Sequence, residues 1–458
     1  MAASPPGMRR VRLRVCQDVG TAPCLNGTVK RMERVRLYPT RRQAAALDRM
    51  LVVCCSLYNA ALQQRRDARK RRGVSVSHRA QYAELTALRR ADPRVAAVYR
   101  ECLDAALHRL DLAFQAFFRR CSRGEAPGYP RYRAKRRWNT LEFPHGDRAL
   151  KFDERQNRVR VPGVGRVKLR KGRGVPPYGR AMIVRSCGHW YAQFECEREV
   201  RPLPVSGKVV GLDRGIAAYV ATSDGELIEN ARIERHQASA VRRKQRAIAR
   251  GRRGSQRQGR RYHELARAKD RQRWSRRDWH HKLSRRLVDA YEGIALEALT
   301  VRAMLRSARG SLKEPGRNVA AKAGLNRSIA DAGWSQFASM IVSKAEEAAR
   351  TVVFVDPKYS SQECSRCGHV ASENRRTQAA FCCVACGHAE NADINAAKVI
   401  LKRAELRPAA RGLALGRLRR PAKCAIAGEN PAHAIGCCVR AHPTNRSLAR
   451  RSRAAHSG

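Results

Sequence analysis

Two cysteine pairs fix one small piece of this chain's fold before anything else can be read. Cys364-Ser365-Arg366-Cys367-Gly368 and Cys383-Val384-Ala385-Cys386-Gly387 are C-x2-C knuckles separated by fifteen residues. The Gly that ends each knuckle lets backbone amides turn toward sulfur, and four thiolates suit a tetrahedral zinc. A complete thiolate shell leaves no position for water, so such a zinc is structural rather than catalytic. Cys382 is a spare that could stand in for Cys383, although the two-residue spacing favours Cys383. The competing reading is a disulfide framework. Sixteen cysteines spread over 458 residues, behind an N-terminus with charge but no apolar signal core, argue against it. The expected compartment is reducing, a cytoplasm, with most cysteines acting as small buried hydrophobes.

Charge narrows the partner. Lys and Arg total 95 against 39 Asp and Glu, a formal net charge of +56. Self-repulsion on that scale calls for a polyanion, and each phosphate neutralised by a cation releases a condensed counterion. Arg outnumbers Lys, which suits bidentate phosphate contacts and stacking on bases. Charge alone fits a ribosomal or chromatin-like protein equally well; it names the partner and not the reaction. No stretch approaches the roughly 20 apolar residues of a membrane span, so no membrane partner is expected.

Along the chain, residues 1–30 read as an irregular leader, with Met32 a candidate true start. Val35–Tyr38 alternates like a strand, and Thr40 is placed to cap a helix through Ala44, Leu47, Leu51, Cys54, Leu57 and Tyr58. A second helix is expected over Asp104–Arg120, with Leu107, Leu110, Phe114, Phe117 and Phe118 as core. From Arg158 the period becomes two, and Val159, Val161, Val167, Leu169, 181–184 and 190–194 read as strands of a small β-barrel or sheet. Residues 31–200 thus read as a helical region with a small barrel or sheet, and 201–206 as a linker. In the second half Val209–Asp213, 217–221 and 227–228 form a three-strand meander. Residues 241–287, with 19 Lys and Arg, read as two helices broken at Gly251, Gly254 and Gly259. Strands are expected at 294–296 and 352–355, a mobile loop at 302–328, and helices at 334–350 and 393–405. Residues 406–458 read as a basic, disordered tail.

Three acids stand at the ends of these elements. Asp213 closes an apolar run, Glu297 closes Ile294-Ala295-Leu296, and Asp393 opens the last helix. Singly they read as a turn, a solvated strand end and an N-cap. Together they describe carboxylates converging on one sheet edge. Such a cluster suits hard divalent cations, which relieve its mutual repulsion and activate water against a phosphodiester.

At this point the sequence resembles the TnpB proteins of insertion sequences. Arg36-Leu37-Tyr38-Pro39-Thr40, Tyr58-Asn59, Ala116-Phe117-Phe118 and Gly128-Tyr129-Pro130-Arg131-Tyr132 carry the likeness in the first half. Gly211-Leu212-Asp213-Arg214-Gly215-Ile216, Thr222-Ser223-Asp224-Gly225, Leu296-Glu297-Ala298-Leu299 and Asp331-Ala332-Gly333-Trp334 continue it, and the run 360–400 completes it. The likeness spans roughly residues 33–405 in order. Type V CRISPR effectors share the nuclease.

The resemblance implies an RNase H-like (RuvC) nuclease domain over 207–405, with a zinc ribbon inserted at 360–390. In it Asp213, Glu297 and Asp393 are catalytic ligands of Mg2+ or Mn2+, and Cys364, Cys367, Cys383 and Cys386 hold Zn2+. The implied activity is RNA-guided hydrolysis of target double-stranded DNA by two metal ions. A guide RNA and a short flanking DNA motif would be partners, with 31–200 as the recognition region, and the protein would associate with the nucleoid of the prokaryotic cytoplasm in use. The oligomeric state is open, with a monomer the expectation. Nucleic-acid contacts are expected at His78, Tyr82 and Arg100, and at Arg242, Arg243, Lys244, Arg252 and Arg253. Trp274 and Trp279 could stack on bases, with core packing the simpler reading of each. Lys398-Val399 stands where the family carries an Asn, and Asn391-Ala392 where an acidic–basic pair is usual. A nuclease-inactive, repressor-like relative is the first alternative, but such proteins lose one of the acids and all three are present. A non-catalytic basic nucleic-acid-binding protein leaves the acids unexplained.

Overall fold

The computed structural model describes residues 27–170, 175–311 and 314–406. The leader through residue 26 and the tail from residue 407 lie outside the described residues.

The first half comprises β1 (Thr28–Tyr38), α1 (Arg41–Arg72), α2 (His78–Ala91), α3 (Pro93–Ala96), α4 (Arg100–Ser122), β2 (Thr140–Phe143) and α5 (Gly146–Ala149). It continues with β3 (Lys151–Asp153), β4 (Arg158–Val161), β5 (Gly165–Leu169), β6 (Tyr178–Ser186) and β7 (His189–Glu199). Thr40 caps α1 as its sequence predicts: its hydroxyl accepts from the Gln43 amide at 3.3 Å, and the Gln43 side chain accepts from the Thr40 amide at 3.0 Å. Leu47, Leu51, Cys54 and Tyr58 are buried in one core with Leu103, Leu107 and Leu110 of α4. α1 holds a window long and apolar enough to pass for a membrane span, but half of that window is packed inside the protein.

β1 begins at Thr28, well before Val35, because it pairs antiparallel with β7 from Thr28↔Glu199 through Leu37↔Trp190. The first-half sheet runs β2-β6-β7-β1-β5-β4-β3. Of the barrel-or-sheet reading, the strands form a seven-stranded sheet in which, among the described residues, no pairing joins the end strands β2 and β3. Phe118, expected in the core, is 61% exposed: α4 has run past its packing partners by then, and Phe117 is only partly covered.

The second half comprises β8 (Val209–Asp213), β9 (Ala218–Thr222), β10 (Leu227–Glu229), α6 (Ile233–Ala249), α7 (Gln256–Ala290), β11 (Gly293–Glu297) and α8 (Val301–Met304). It ends with α9 (Val319–Ala332), α10 (Trp334–Glu347), β12 (Thr351–Val355), β13 (Ala380–Cys382), β14 (Ala389–Asn391) and α11 (Ala392–Ala404). Gly259 lies inside α7 and does not break it; the break falls at residues 250–255. The expected loop at 302–328 is partly helical, since α9 opens at Val319 and buries Ile329 and Ala332.

Here the sheet order is β10-β9-β8-β11-β12, with β8, β11 and β12 parallel and the meander antiparallel. Alternation decides what each face carries. Val210, Leu212, Ile294 and Leu296 point into a core with Leu283 and Leu287 of α7 and Phe337 and Ile341 of α10. Gly211 and Ala295, one residue out of step, face α11, where Ala295 packs with Ile400. Gly211 lets the helix come close: a Cβ there would stand 2.1 Å from the Ala397 carbonyl oxygen. Asp213 and Glu297 are two residues beyond Gly211 and Ala295, and so share that face.

Candidate active site and metal centre

Parallel register brings the first two acids together. Leu212 pairs with Leu296, so Asp213 and Glu297 are the next residues along adjacent strands. The two carboxyl groups therefore act on one another, Glu297 helping to raise the pKa of Asp213. Glu297 is 6% exposed, and the Ser360 hydroxyl donates to its Oε1 at 2.8 Å. The buried Arg214 guanidinium donates to the Glu297 carbonyl, tying the end of β11 to the turn after β8.

Asp393 arrives from the helix side, in the first turn of α11. It is not the N-cap. Asn391 takes that role, its side-chain oxygen accepting from the amides of Asp393 at 3.0 Å and Ile394 at 3.3 Å. The physical reason is that an N-cap has extended backbone, which Asn391 has, whereas Asp393 is already helical. The Asp393 carboxylate is thereby left to face the sheet edge, where the Cβ direction of Gly215 ends 3.9 Å from its Oδ2. On its other side Arg375 approaches Oδ1 at 3.4 Å.

Burial raises all three carboxyl groups above the ordinary carboxylate range. For Asp213 the neighbouring Glu297 and then Asp393 add to burial. For Glu297 the Ser360 hydrogen bond and Arg214 work in the opposite direction, as Arg375 does for Asp393. Register thus sets Asp213 beside Glu297, and Asp393 lies beside Gly215 in the turn after β8. Among the described residues they do not form a group whose ligand oxygens all lie within 4.8 Å of each other; only the cysteine quartet does.

In that quartet Cys364 and Cys386 bring their sulfurs to 3.7 Å, and Cys367 and Cys383 to 3.6 Å. Cys382, the spare, belongs to β13 and stays outside the group. Each knuckle closes through its Gly, with Gly368 N donating to Cys364 O and Gly387 N to Cys383 O, both at 2.9 Å. Both glycines have positive φ, 79° and 69°, a conformation costly for other residues. Four converging sulfurs and no oxygen or nitrogen ligand fit zinc. The quartet is fastened to the acid edge by Asn395, fully buried one turn into α11. Its Oδ1 accepts from Ser365 N at 2.9 Å and its Nδ2 donates to Glu363 O at 2.8 Å.

Ser360, Arg375 and Asn395 were not singled out by sequence. Ser360 and Arg375 are polar residues within polar segments, Asn395 stands between Ile394 and Ala396, and only tertiary contact reveals what each one touches. The expected nucleic-acid residues divide into two groups. His78 opens α2 with its Nε2 3.5 Å from Asp104 of α4, and the Arg100 guanidinium lies 5.1 Å from the centroid of half-exposed Tyr82. Arg242 and Arg243 are exposed on α6, Arg252 and Arg253 are exposed on the turn before α7, and Lys244 is drawn to Glu264 at 3.5 Å. Trp279 packs against the second-half core, whereas Trp274, expected to be core as well, is 40% exposed.

Three family models match the chain: "Helix-turn-helix domain" over residues 29–74, "Probable transposase" (OrfB_IS605) over 193–308, and "Cas12f1-like, TNB domain" over 334–400. InsQ of Escherichia coli (strain K12), named as an RNA-guided DNA endonuclease, is 33% identical over 301 residues, 65% of this chain and 73% of its own. A protein of Streptomyces pristinaespiralis, likewise named as an RNA-guided DNA endonuclease, is 30% identical over 382 residues, 81% of this chain and 89% of its own. The solved Cas12f1–sgRNA–target DNA complex gives a TM-score of 0.31 at 13% identity, over 81% of this chain and 99% of that one, a likeness too slight to carry weight.

Proposed function

Since the chain belongs to the TnpB family of insertion-sequence proteins, we propose that it is an RNA-guided DNA endonuclease which hydrolyses target phosphodiester bonds at its acid edge. What supports this reading is that Asp213 and Glu297 end neighbouring parallel strands of a mixed sheet, and that Asp393, in the first turn of α11, lies beside Gly215 in the turn after β8. We assign that sheet to the RNase H-like (RuvC) class. Buried carboxyl groups raised above their ordinary range accept full ionisation only with added positive charge beside them.

Asp213, Glu297 and Asp393 would hold Mg2+ or Mn2+, hard cations suited to oxygen donors. The chemistry supplied by such ions, when bound, would be activation of a water near neutral pH and positive charge for the leaving oxygen. The chain's own part is positioning. Ser360 fixes the Glu297 carboxyl, and Arg214 anchors the backbone that carries it. Asn391 holds the turn that presents Asp393, and Arg375 balances its charge. The cysteine quartet would hold structural zinc, keeping the ribbon, and through Asn395 the start of α11, in place.

Guide RNA would pair with one strand of the target, leaving the protein to read a short flanking motif and duplex shape. His78, Tyr82 and Arg100 at the α2–α4 junction are our candidates for that reading. Arg242, Arg243, Lys244, Arg252 and Arg253 are candidates for phosphate contact.

The test is direct. Purified protein with its copurifying RNA should cut matched DNA only when Mg2+ or Mn2+ is present. Asp213→Ala should abolish cutting and keep guided binding. Equal cutting by that variant removes the acid edge from the mechanism, and binding without cutting by the unaltered chain selects the nuclease-inactive alternative.

A further inference from the structure

The outward face of β1 carries something that none of these roles uses. Arg34, Arg36 and Tyr38 are two residues apart, so they share the face opposite buried Leu37. Arg36 is directly opposite Tyr191 of β7. The Arg34 guanidinium lies 3.8 Å from the centroid of Tyr191 and 5.2 Å from that of Trp274 on α7. Arg36 lies 5.6 Å from Tyr191 and 5.5 Å from Tyr38, and Arg277 lies 5.7 Å from Trp274. Rings and cations therefore alternate, Tyr38, Arg36, Tyr191, Arg34, Trp274, Arg277, across two strands and a helix.

A ladder built only to pin α7 to the sheet would cover its rings and balance its charges. This one does neither. Its middle ring, Tyr191, is buried, but its outer rings are bare, Tyr38 at 48% and Trp274 at 40% exposed. The Trp274 indole N–H donates to Asp270 at 3.2 Å, which fixes the ring through its edge. Asp270 is already answered by Arg273 at 2.7 Å. Among the described residues Arg34, Arg36 and Arg277 have no carboxylate within ion-pair distance. Arg36 instead contacts His189 Nδ1 at 2.7 Å, and Arg277 contacts His281 at 3.3 Å. Burial lowers the pKa of Arg34 and of Arg277; at Arg34 the neighbouring Arg277 and Arg273 add to that effect, while Tyr191 and Asp270 oppose it.

We propose that this ladder is a stacking platform for unpaired nucleotides of the guide RNA, which lay bases on Trp274 and Tyr38 and phosphates against Arg36 and Arg277. Open aromatic faces flanked by guanidinium planes are the arrangement that holds splayed-out bases. RNA is the occupant because, on the reading proposed above, the target strand's bases are consumed in pairing with the guide. Loops and bulges of a structured RNA keep free base faces, and that RNA stays bound throughout. A fixed, prebuilt platform suits a resident ligand.

The experiment measures affinity of the full chain for two probes, single-stranded oligouridylate and oligothymidylate of equal length, at fixed salt. Trp274→Ala and Tyr38→Ala should each bind oligouridylate about five- to a hundredfold more weakly, the usual worth of one stacked base. Trp274→Phe, which keeps a ring, should retain most of the affinity, and this decides the matter if the alanine variant melts early. Oligouridylate should also quench tryptophan emission, less so in Trp274→Phe. Unchanged oligouridylate affinity in Trp274→Ala overturns the platform. So does a loss confined to oligothymidylate, or a loss in Trp274→Phe as large as in the alanine variant. Failure of the nuclease reading would look different: no cleavage by the unaltered chain, with the RNA affinities still ordered as expected.

Discussion

Replacing Gly211 by alanine tests the link between packing and chemistry with a single carbon atom. The added Cβ would stand 2.1 Å from the Ala397 carbonyl oxygen, 2.8 Å from Leu401 N and 2.9 Å from Leu401 Cβ. Two of the three are backbone atoms of α11, so no side-chain rotation relieves the clash. Ordinary contact begins near 3.4 Å, and α11 must therefore retreat from β8 by about 1.3 Å. Overpacking of this kind costs about 1–3 kcal/mol, which for a domain of this size lowers the melting temperature by roughly 2–12 °C. The larger effect should be on cleavage. α11 carries Asp393 in its first turn, and a misplacement of about 1 Å at a reacting centre can cost on the order of a hundredfold. Guided DNA cleavage at saturating Mg2+, RNA and DNA affinity, and bound zinc would be measured together. We expect cutting to fall about a hundredfold, with affinities and zinc content kept. Gly259→Ala in α7, where the new Cβ meets nothing within 4 Å, is the control and should cut normally. If Gly211→Ala melted and cut like the unaltered chain, close approach of α11 would not be what sets the acid edge.

Two further outcomes follow from the same coordinates. Cys364→Ser should lower zinc content by mass spectrometry and reduce cutting, because the ribbon and Asp393 share the Asn395 anchor; full activity with no bound zinc would refute a structural metal. His280, fully buried between α7, β9 and α10, has its pKa driven down to about 4 by burial, and its Nε2 lies 2.8 Å from the Tyr219 hydroxyl. A histidine with a depressed folded pKa costs nothing above its unfolded value near 6.5 and destabilises as pH falls from there toward 4, by about 3 kcal/mol in all. Urea unfolding should thus show the native chain losing about 2 kcal/mol more than His280→Gln between pH 7 and pH 5; equal losses would show that His280 is not held neutral.

Much of this protein could be read without coordinates, and the readable part is local. The C-x2-C-Gly knuckles, the Thr40 cap, the strands around Val159–Val161, Val209–Asp213 and Ile294–Leu296 and the long cationic helices rest on spacing within a few residues. At that range backbone periodicity and chirality leave few options. The three acids were visible for the same reason, each at the end of a recognisable element. Their meeting was not. It needed the parallel register of β8 against β11, and a gap above Gly211 narrow enough to bring α11 down. Nor did sequence reveal that Asn391 would cap α11 and free Asp393, that Ser360 and Arg375 would reach the acids, or that Phe118 and Trp274 would lie open. A residue's own neighbours settle its backbone, but its burial and its partners depend on elements distant in the chain. Those are set only when the sheets pair and the helices pack against them.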